Sequence, residues 1–280
     1  KLIKLNIDKK ISYNHLLRVA VNKKMISISL RNRKTPKLNF NLKLINNSAS
    51  SSGAVYVFRW LGSSWMQEAY LKSSNSDIED YFGAKSISGD TIAVGAYGED
   101  SSGKGINVDA QSDNNAANSG AVYIFTRVAG TWAQQAYIKA SDSIENMRFG
   151  RTVSISGDQL AVGANGNVYM FERTNELWQE AQILVGHNTT AIDSFGDSVK
   201  LDGDVLVVGA PNHSSNKGAV YVFEKLDSTW SQTGYLMASN ADAATASGHG
   251  LYFGMHIDVS NSQIAVGTEY EDGVGTGVNG

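Results

Sequence analysis

The residues best suited to chemistry are oxygen ligands gathered in one stretch, residues 97–119: Glu99, Asp100, Asn107, Asp109, Asp113 and Asn114, with Asn115 beside them. Carboxylates and amides bind hard cations, and calcium takes about six to eight oxygens. Asp100, Asp109 and Asp113 are the candidate calcium ligands; the alternative is a solvated polar loop that holds no metal. Histidines His15, His187, His213, His249 and His256 are scattered, and the pair His249 and His256 lacks a third zinc ligand. Trp65, Trp132, Trp178 and Trp230 could stack on sugars, but their regular recurrence favours packing. The chain has no Gly-x-Ser-x-Gly elbow, phosphate loop or His-Glu-x-x-His pair. These patterns point to binding rather than catalysis, with no catalytic residue to name.

A repeated unit must position such loops. Phe-Gly occurs at Phe82-Gly83, Phe149-Gly150, Phe195-Gly196 and Phe253-Gly254. Each pair is followed by an alternating run, a tight turn and an Ala-Val-Gly or Val-Val-Gly strand. Val-Tyr strands begin after Gly53, Gly120, Gly166 and Gly218, and each leads to one of the four tryptophans. Alternation at period two, punctuated by Gly-Asp turns, predicts antiparallel strands joined by short hairpins. Asn165-Gly166 is all that separates Ala161–Ala164 from Asn167–Phe171, and Asn-Gly between alternating strands is a strong hairpin signal. Residues 97–119 elaborate the same turn in the preceding unit.

Such a sheet is apolar on both faces and must stack against like sheets. The expected fold is all-β: a β-propeller of four-stranded antiparallel blades, three complete plus two half blades, forming an arc or a four-bladed ring. Turns alternate between the two ends of a blade, so the variable segments fall at one end: 73–81, 97–119, 140–148, 165–166, 186–194, 211–217, 239–252 and 268–280. They carry 14 acids against Lys104, Arg148 and Lys217. An acidic face suits cations or basic partners and disfavours nucleic acid.

The Phe-Gly pairs together with Gly209-Ala210-Pro211, and the degenerate Gly95-Ala96-Tyr97, Gly163-Ala164-Asn165 and Gly267-Thr268-Glu269, resemble the FG-GAP repeat of integrin alpha amino-terminal propellers and bacterial surface proteins. The resemblance covers residues 53–280 and implies an extracellular or cell-surface adhesion module with a protein or glycan ligand. Many members carry a calcium loop between strands one and two of a blade. Here that hairpin shrinks to forms such as Asp202-Gly203-Asp204, too few oxygens to enclose the ion.

The net charge of −3 conceals two compositions. Residues 1–48 hold 12 Lys and Arg with Asp8 as the lone acid, while the remainder holds 12 against 26 acids. The division expected is a basic segment over 1–48 and propeller blades over 49–280. The basic segment reads either as an arm for an anionic surface or as a leader unrelated to the fold, with alternating runs at Ile26–Leu30 and Leu38–Ile45. No apolar run approaches a membrane span, and Arg18 interrupts the best apolar stretch near the start. The chain reads as part of a longer protein. The functional expectation is a binding or adhesion module presenting acidic loops. A propeller belonging to a polysaccharide- or lipid-active enzyme, or a structural spacer, are the alternatives.

Overall fold

The computed structural model describes the backbone of residues 17–21, 24–28 and 43–45, and residues 49–241 and 250–271 in full apart from the Ala110 side chain. The chain divides into two units, Lys1–Ser50 and Ser51–Gly280. In the first, β1 (Leu17–Val21), β2 (Lys24–Ile28) and β3 (Lys43–Ile45) form an antiparallel sheet in that order. The remaining parts of the expected strands, 29–30 and 38–42, lie outside the described residues.

The second unit begins with a two-stranded sheet, β4 (Val55–Trp60) and β5 (Trp65–Leu71). Three four-stranded meanders follow. They comprise β6 (Ala84–Ser88), β7 (Thr91–Ala96), β8 (Ala121–Val128) and β9 (Thr131–Ile138); β10 (Thr152–Ser156), β11 (Gln159–Ala164), β12 (Asn167–Thr174) and β13 (Leu177–Leu184); and β14 (Ser198–Asp202), β15 (Val205–Ala210), β16 (Ala219–Leu226) and β17 (Thr229–Leu236). A two-stranded sheet of β18 (His256–Ser260) and β19 (Gln263–Gly267) ends the described residues. Three complete blades and two half blades are therefore present. The half blades lie in separate sheets and do not complete each other as a shared blade. The four-bladed ring is not what forms; the blades make an arc.

Each blade junction is an apolar layer. Phe82, Phe149 and Phe195 are fully buried, each seated edge-on against the Tyr and Phe of its own blade's third strand: Tyr123 and Phe125, Tyr169 and Phe171, Tyr221 and Phe223. On the other side Phe82 meets Val55, Val57 and Leu71 of the preceding half blade, within one buried cluster. Burying a ring of this size contributes about 2–3 kcal/mol, so the repeated Phe is a principal glue between blades.

A bulge recurs where β4–β5, β8–β9, β12–β13 and β16–β17 pair, always just before the Phe of the third strand. The pairing steps over Glu68, Gln135, Ala181 and Thr233, which are the extra residues of the fourth strands. Trp132 Nε1 donates to Glu68 of the preceding blade (3.0 Å), and Trp178 Nε1 to Gln135 (3.2 Å). The blade before Trp230 has Ala181 at that place, and the buried Trp230 Nε1 has no partner. The tryptophans thus brace junctions, as expected from their recurrence. Trp65 is the exception: it is 67% exposed on the first half blade.

Candidate functional site

Antiparallel pairing sets Ser88 opposite Thr91 at one end of a blade and Ala96 opposite Ala121 at the other. The 97–119 insert and the short Gly89-Asp90 turn therefore lie at opposite ends. The insert is tied to neighbouring connections at its own end, since Asn146 and Arg148 donate backbone N–H groups to Ala117 and Asn118 (2.7 and 2.9 Å). Asn75 reaches the insert from the preceding connection, donating to the Gln111 carbonyl at 2.7 Å.

The expected oxygen cluster is spent on building this insert. Glu99, only 2% exposed, receives Lys139 Nζ at 2.7 Å, and Lys139 is wholly buried. Lys139 also donates to Ser119 Oγ, while Tyr137 and Asn75 donate to the second oxygen of Glu99. Burial pulls the Lys139 ammonium below its usual range, opposed by the Glu99 charge. Burial likewise pushes the Tyr137 phenol up, so it stays a neutral donor. Asp100 accepts the Asn118 N–H at 2.7 Å. Asp113 accepts the backbone N–H and hydroxyl of Ser102, both at 2.8 Å, and these bonds hold its carboxyl below the usual range. Asn107 accepts the Tyr137 N–H at 2.9 Å, and Asn114 donates to Asp77 at 2.9 Å. Asp109 is exposed at the start of a single 3-10 turn, Asp109–Ser112. Glu99 is thus an internal anchor and not part of a contact surface. Asp100, Asp109 and Asp113 do not converge: among the described residues no three His, Asp or Glu side chains are grouped to hold a metal ion. His249, and the variable segments 242–249 and 272–280, lie outside the described residues.

What the sequence reading missed is a cavity where the first strands of successive blades meet at this same end. It measures about 550 Å³, and Lys85, Arg151, Asp197, Ser198, Lys200 and His256 help to line it. All lie within a few residues of a Phe-Gly pair, and the steric demands of those pairs place them. Arg151 reaches Asp197 of the next blade at 3.1 Å, and Lys200 reaches Asp258 at 3.7 Å. Burial raises the Asp197 carboxyl above its ordinary range, with Arg151 and Arg148 pulling the other way. His256 contacts Glu269 at 2.8 Å. Three fixed cations against one lining carboxylate make this a cationic recess within an acidic rim. A signal was available, since charged residues follow closely on Phe-Gly in every repeat.

Stacked four-stranded meanders, with variable connections collected over a recess between innermost strands, define a β-propeller. A profile of the FG-GAP repeat matches residues 65–125, 132–170 and 178–223, more than half of the sequence. The chain belongs to the FG-GAP repeat family. No curated protein matches it. Among solved structures it is similar to a candidate 6-phosphogluconolactonase from Bacteroides uniformis, with 11% identity and a TM-score of 0.46 over 85% of this chain and 68% of that one. A second such protein, from Bacteroides fragilis, gives 12% identity and a TM-score of 0.31 over 80% and 70%. Likenesses this slight carry neither substrate nor activity across. Among the described residues no helix is long and apolar enough to cross a membrane.

Proposed function

We propose that the chain is a non-catalytic, extracellular ligand-binding module of the kind used in adhesion. It takes a protein or glycan at the end of the blades where the connections gather. The observation that carries this reading is the cationic recess among Lys85, Arg151 and Lys200 at the same end as the elaborated connections. Function concentrates on loops held by a rigid scaffold, and a concave site with a few convergent polar groups is the usual form of a ligand pocket. A carboxylate- or sulfate-bearing sugar, or an acidic side chain of a partner, would match the recess, while basic groups of the same ligand would meet the rim. Membership of the FG-GAP family supports the extracellular setting.

A glycan array that includes acidic sugars, probed with the wild type and with Arg151→Ala and Lys200→Ala, tests the proposal. Binding by the wild type that both variants lose, at unchanged melting temperature, supports it. Retention of no glycan, together with no binding to a panel of acidic peptides, points to a spacer and overturns it.

A further inference from the structure

Glu99 holds two nitrogens at once. Its Oε2 receives Lys139 Nζ at 2.7 Å, and its Oε1 receives Asn75 Nδ2 at 2.9 Å. The amine of Lys139 and the amide of Asn75 thus sit across one carboxylate. Further bonds fix the amide: Nδ2 also donates to the Gln111 carbonyl at 2.7 Å, and Oδ1 accepts the Tyr123 hydroxyl at 2.6 Å. A phenol on the carbonyl oxygen polarises Cγ and stands where negative charge would gather under attack. Burial pushes that phenol up, so it remains a donor. Lys139 is wholly buried, and its burial pulls the ammonium below the usual range. One proton moved from Lys139 to Glu99 leaves a neutral amine and a carboxylic acid, which removes two buried charges.

The Tyr–Asn bond alone is part of the blade, since Tyr221 donates to Asn188 at 2.7 Å and Tyr169 to Asp142 at 2.9 Å. The other complete blades lack the lysine and the acid. Val185 and Met237 follow Leu184 and Leu236 as Lys139 follows Ile138. Between second and third strands the second blade has only Asn165-Gly166, and residues 211–217 of the third hold no acid. Among the complete blades, amine, acid and amide meet only in the first.

We propose that Lys139 and Asn75 join in an intramolecular amide bond, with Glu99 as the catalytic acid and base. Nζ of the neutral lysine attacks Asn75 Cγ, and the carbonyl electron pair moves onto Oδ1 beside the Tyr123 hydroxyl. Glu99 gives its proton to Nδ2 and takes one from Nζ. The pair on Oδ1 returns, the Cγ–Nδ2 bond breaks and ammonia leaves, with the Nζ–Cγ bond in its place. The exchange needs no oxidant and no cofactor. Groups held in place in this way reach effective concentrations of about 10⁵–10⁸ M, and the reaction need occur only once per chain. A chain without cysteine gains a covalent brace across its first complete blade. The brace runs from the connection that enters the blade to the residue that follows its last strand, β9. This inference is independent of the ligand reading.

Mass spectrometry of the full chain, purified folded, incubated at neutral pH and then denatured, tests the proposal. The wild type should weigh one ammonia less than its sequence mass, and digestion should release a branched peptide joining Asn75 to Lys139. Asn75→Ala, which keeps the Lys139–Glu99 pair, and Glu99→Gln, which keeps amine and amide, should each show their full sequence mass. A wild type that retains its full sequence mass overturns the inference, whether or not the variants fold. So does an ammonia loss that maps elsewhere, such as a cyclic imide at Asn165-Gly166. A folded Glu99→Gln chain that still forms the branched peptide contradicts the part given to Glu99.

Discussion

The carbonyl of Gly150 rests against the α-carbon of Gly95, so that a β-carbon on Gly95 would lie 1.9 Å from its oxygen. The relationship repeats: a β-carbon on Gly163 would lie 2.1 Å from the Gly196 oxygen, and one on Gly209 2.0 Å from that of Gly254. The glycine of each of these Phe-Gly steps thus sits on the penultimate residue, a glycine, of the second strand of the blade before. Gly150, Gly196 and Gly254 have φ of +86°, +90° and +94°, a conformation costly for any side chain. Two features separated along the sequence, Phe-Gly and Gly-Ala-Pro, are the two sides of one contact. That contact sets the spacing of the first strands and hence the recess between them.

Trp230 offers a gain in stability. Its indole N–H is buried without a partner, and Ala181 occupies the bulge from which Glu68 and Gln135 serve Trp132 and Trp178. Ala181→Gln should restore the bond and raise unfolding free energy by about 0.5–1.5 kcal/mol. Urea denaturation measures it; Ala181→Leu, which adds bulk without an acceptor, should give no such gain.

The Glu99–Lys139 pair anchors the 97–119 insert to the fourth strand of its blade. Lys139→Met leaves the Glu99 carboxylate buried without its counter-charge and should cost about 3–5 kcal/mol in chemical denaturation. Adding Glu99→Gln should return part of that loss. A single variant with near wild-type stability would mean that the pair is not buried as described.

Asp80, 3% exposed, is pushed up to about 6, chiefly by burial and also by the nearby charges of Glu99, Asp77 and Asp100, with the Asp77 N–H pulling it down. Its folded value exceeds the unfolded one, so the folded chain holds the extra proton between about 4 and 6. The Asp80 contribution to stability therefore falls as pH rises through that window and stays low above it. Asp80→Asn keeps an acceptor for the Asp77 N–H. It should flatten this decline and raise stability above the window by about 1–3 kcal/mol, read from denaturant midpoints across pH.

Calcium is a sharper discriminator than the sequence suggested. Asp100 accepts the Asn118 N–H and Asp113 the N–H and hydroxyl of Ser102, all from the insert itself, and among the described residues no third carboxylate is grouped with them to hold an ion. We expect millimolar calcium, or its removal by a chelator, to leave the melting temperature unchanged. A ligand-linked rise of several degrees would show that the insert rearranges around an ion.

The blades were legible because their code is local: alternation within a strand, Gly-Asp or Asn-Gly between strands, and Phe-Gly at each entry. One irregularity has a counterpart in the sequence that the repeat pattern did not draw out. The run from Phe82-Gly83 to Gly89 is one residue shorter than that from Phe149-Gly150 to Gly157, and Gly83 alone among the Phe-Gly glycines lacks a positive φ. The fate of Glu99 was not legible. Its partner Lys139 lies 40 residues away, and no local pattern separates a buried carboxylate from the exposed Asp109. The recess was hidden for the same reason: Arg151 and Asp197 come from different blades and meet only after stacking.

The claim on which the rest stands is that glycine meets carbonyl between blades. The matched pair Gly163→Ala and Gly157→Ala, compared by urea midpoint, tests it most directly. Gly157 has φ +56° in a turn with open space around its α-carbon, so alanine there should cost only about 1 kcal/mol from its backbone conformation. At Gly163 the new methyl would strike both the Gly196 carbonyl and Thr152 Oγ1. The chain should lose about 3 kcal/mol or more or fail to fold. Equal, small losses at the two sites would contradict the stacking described here.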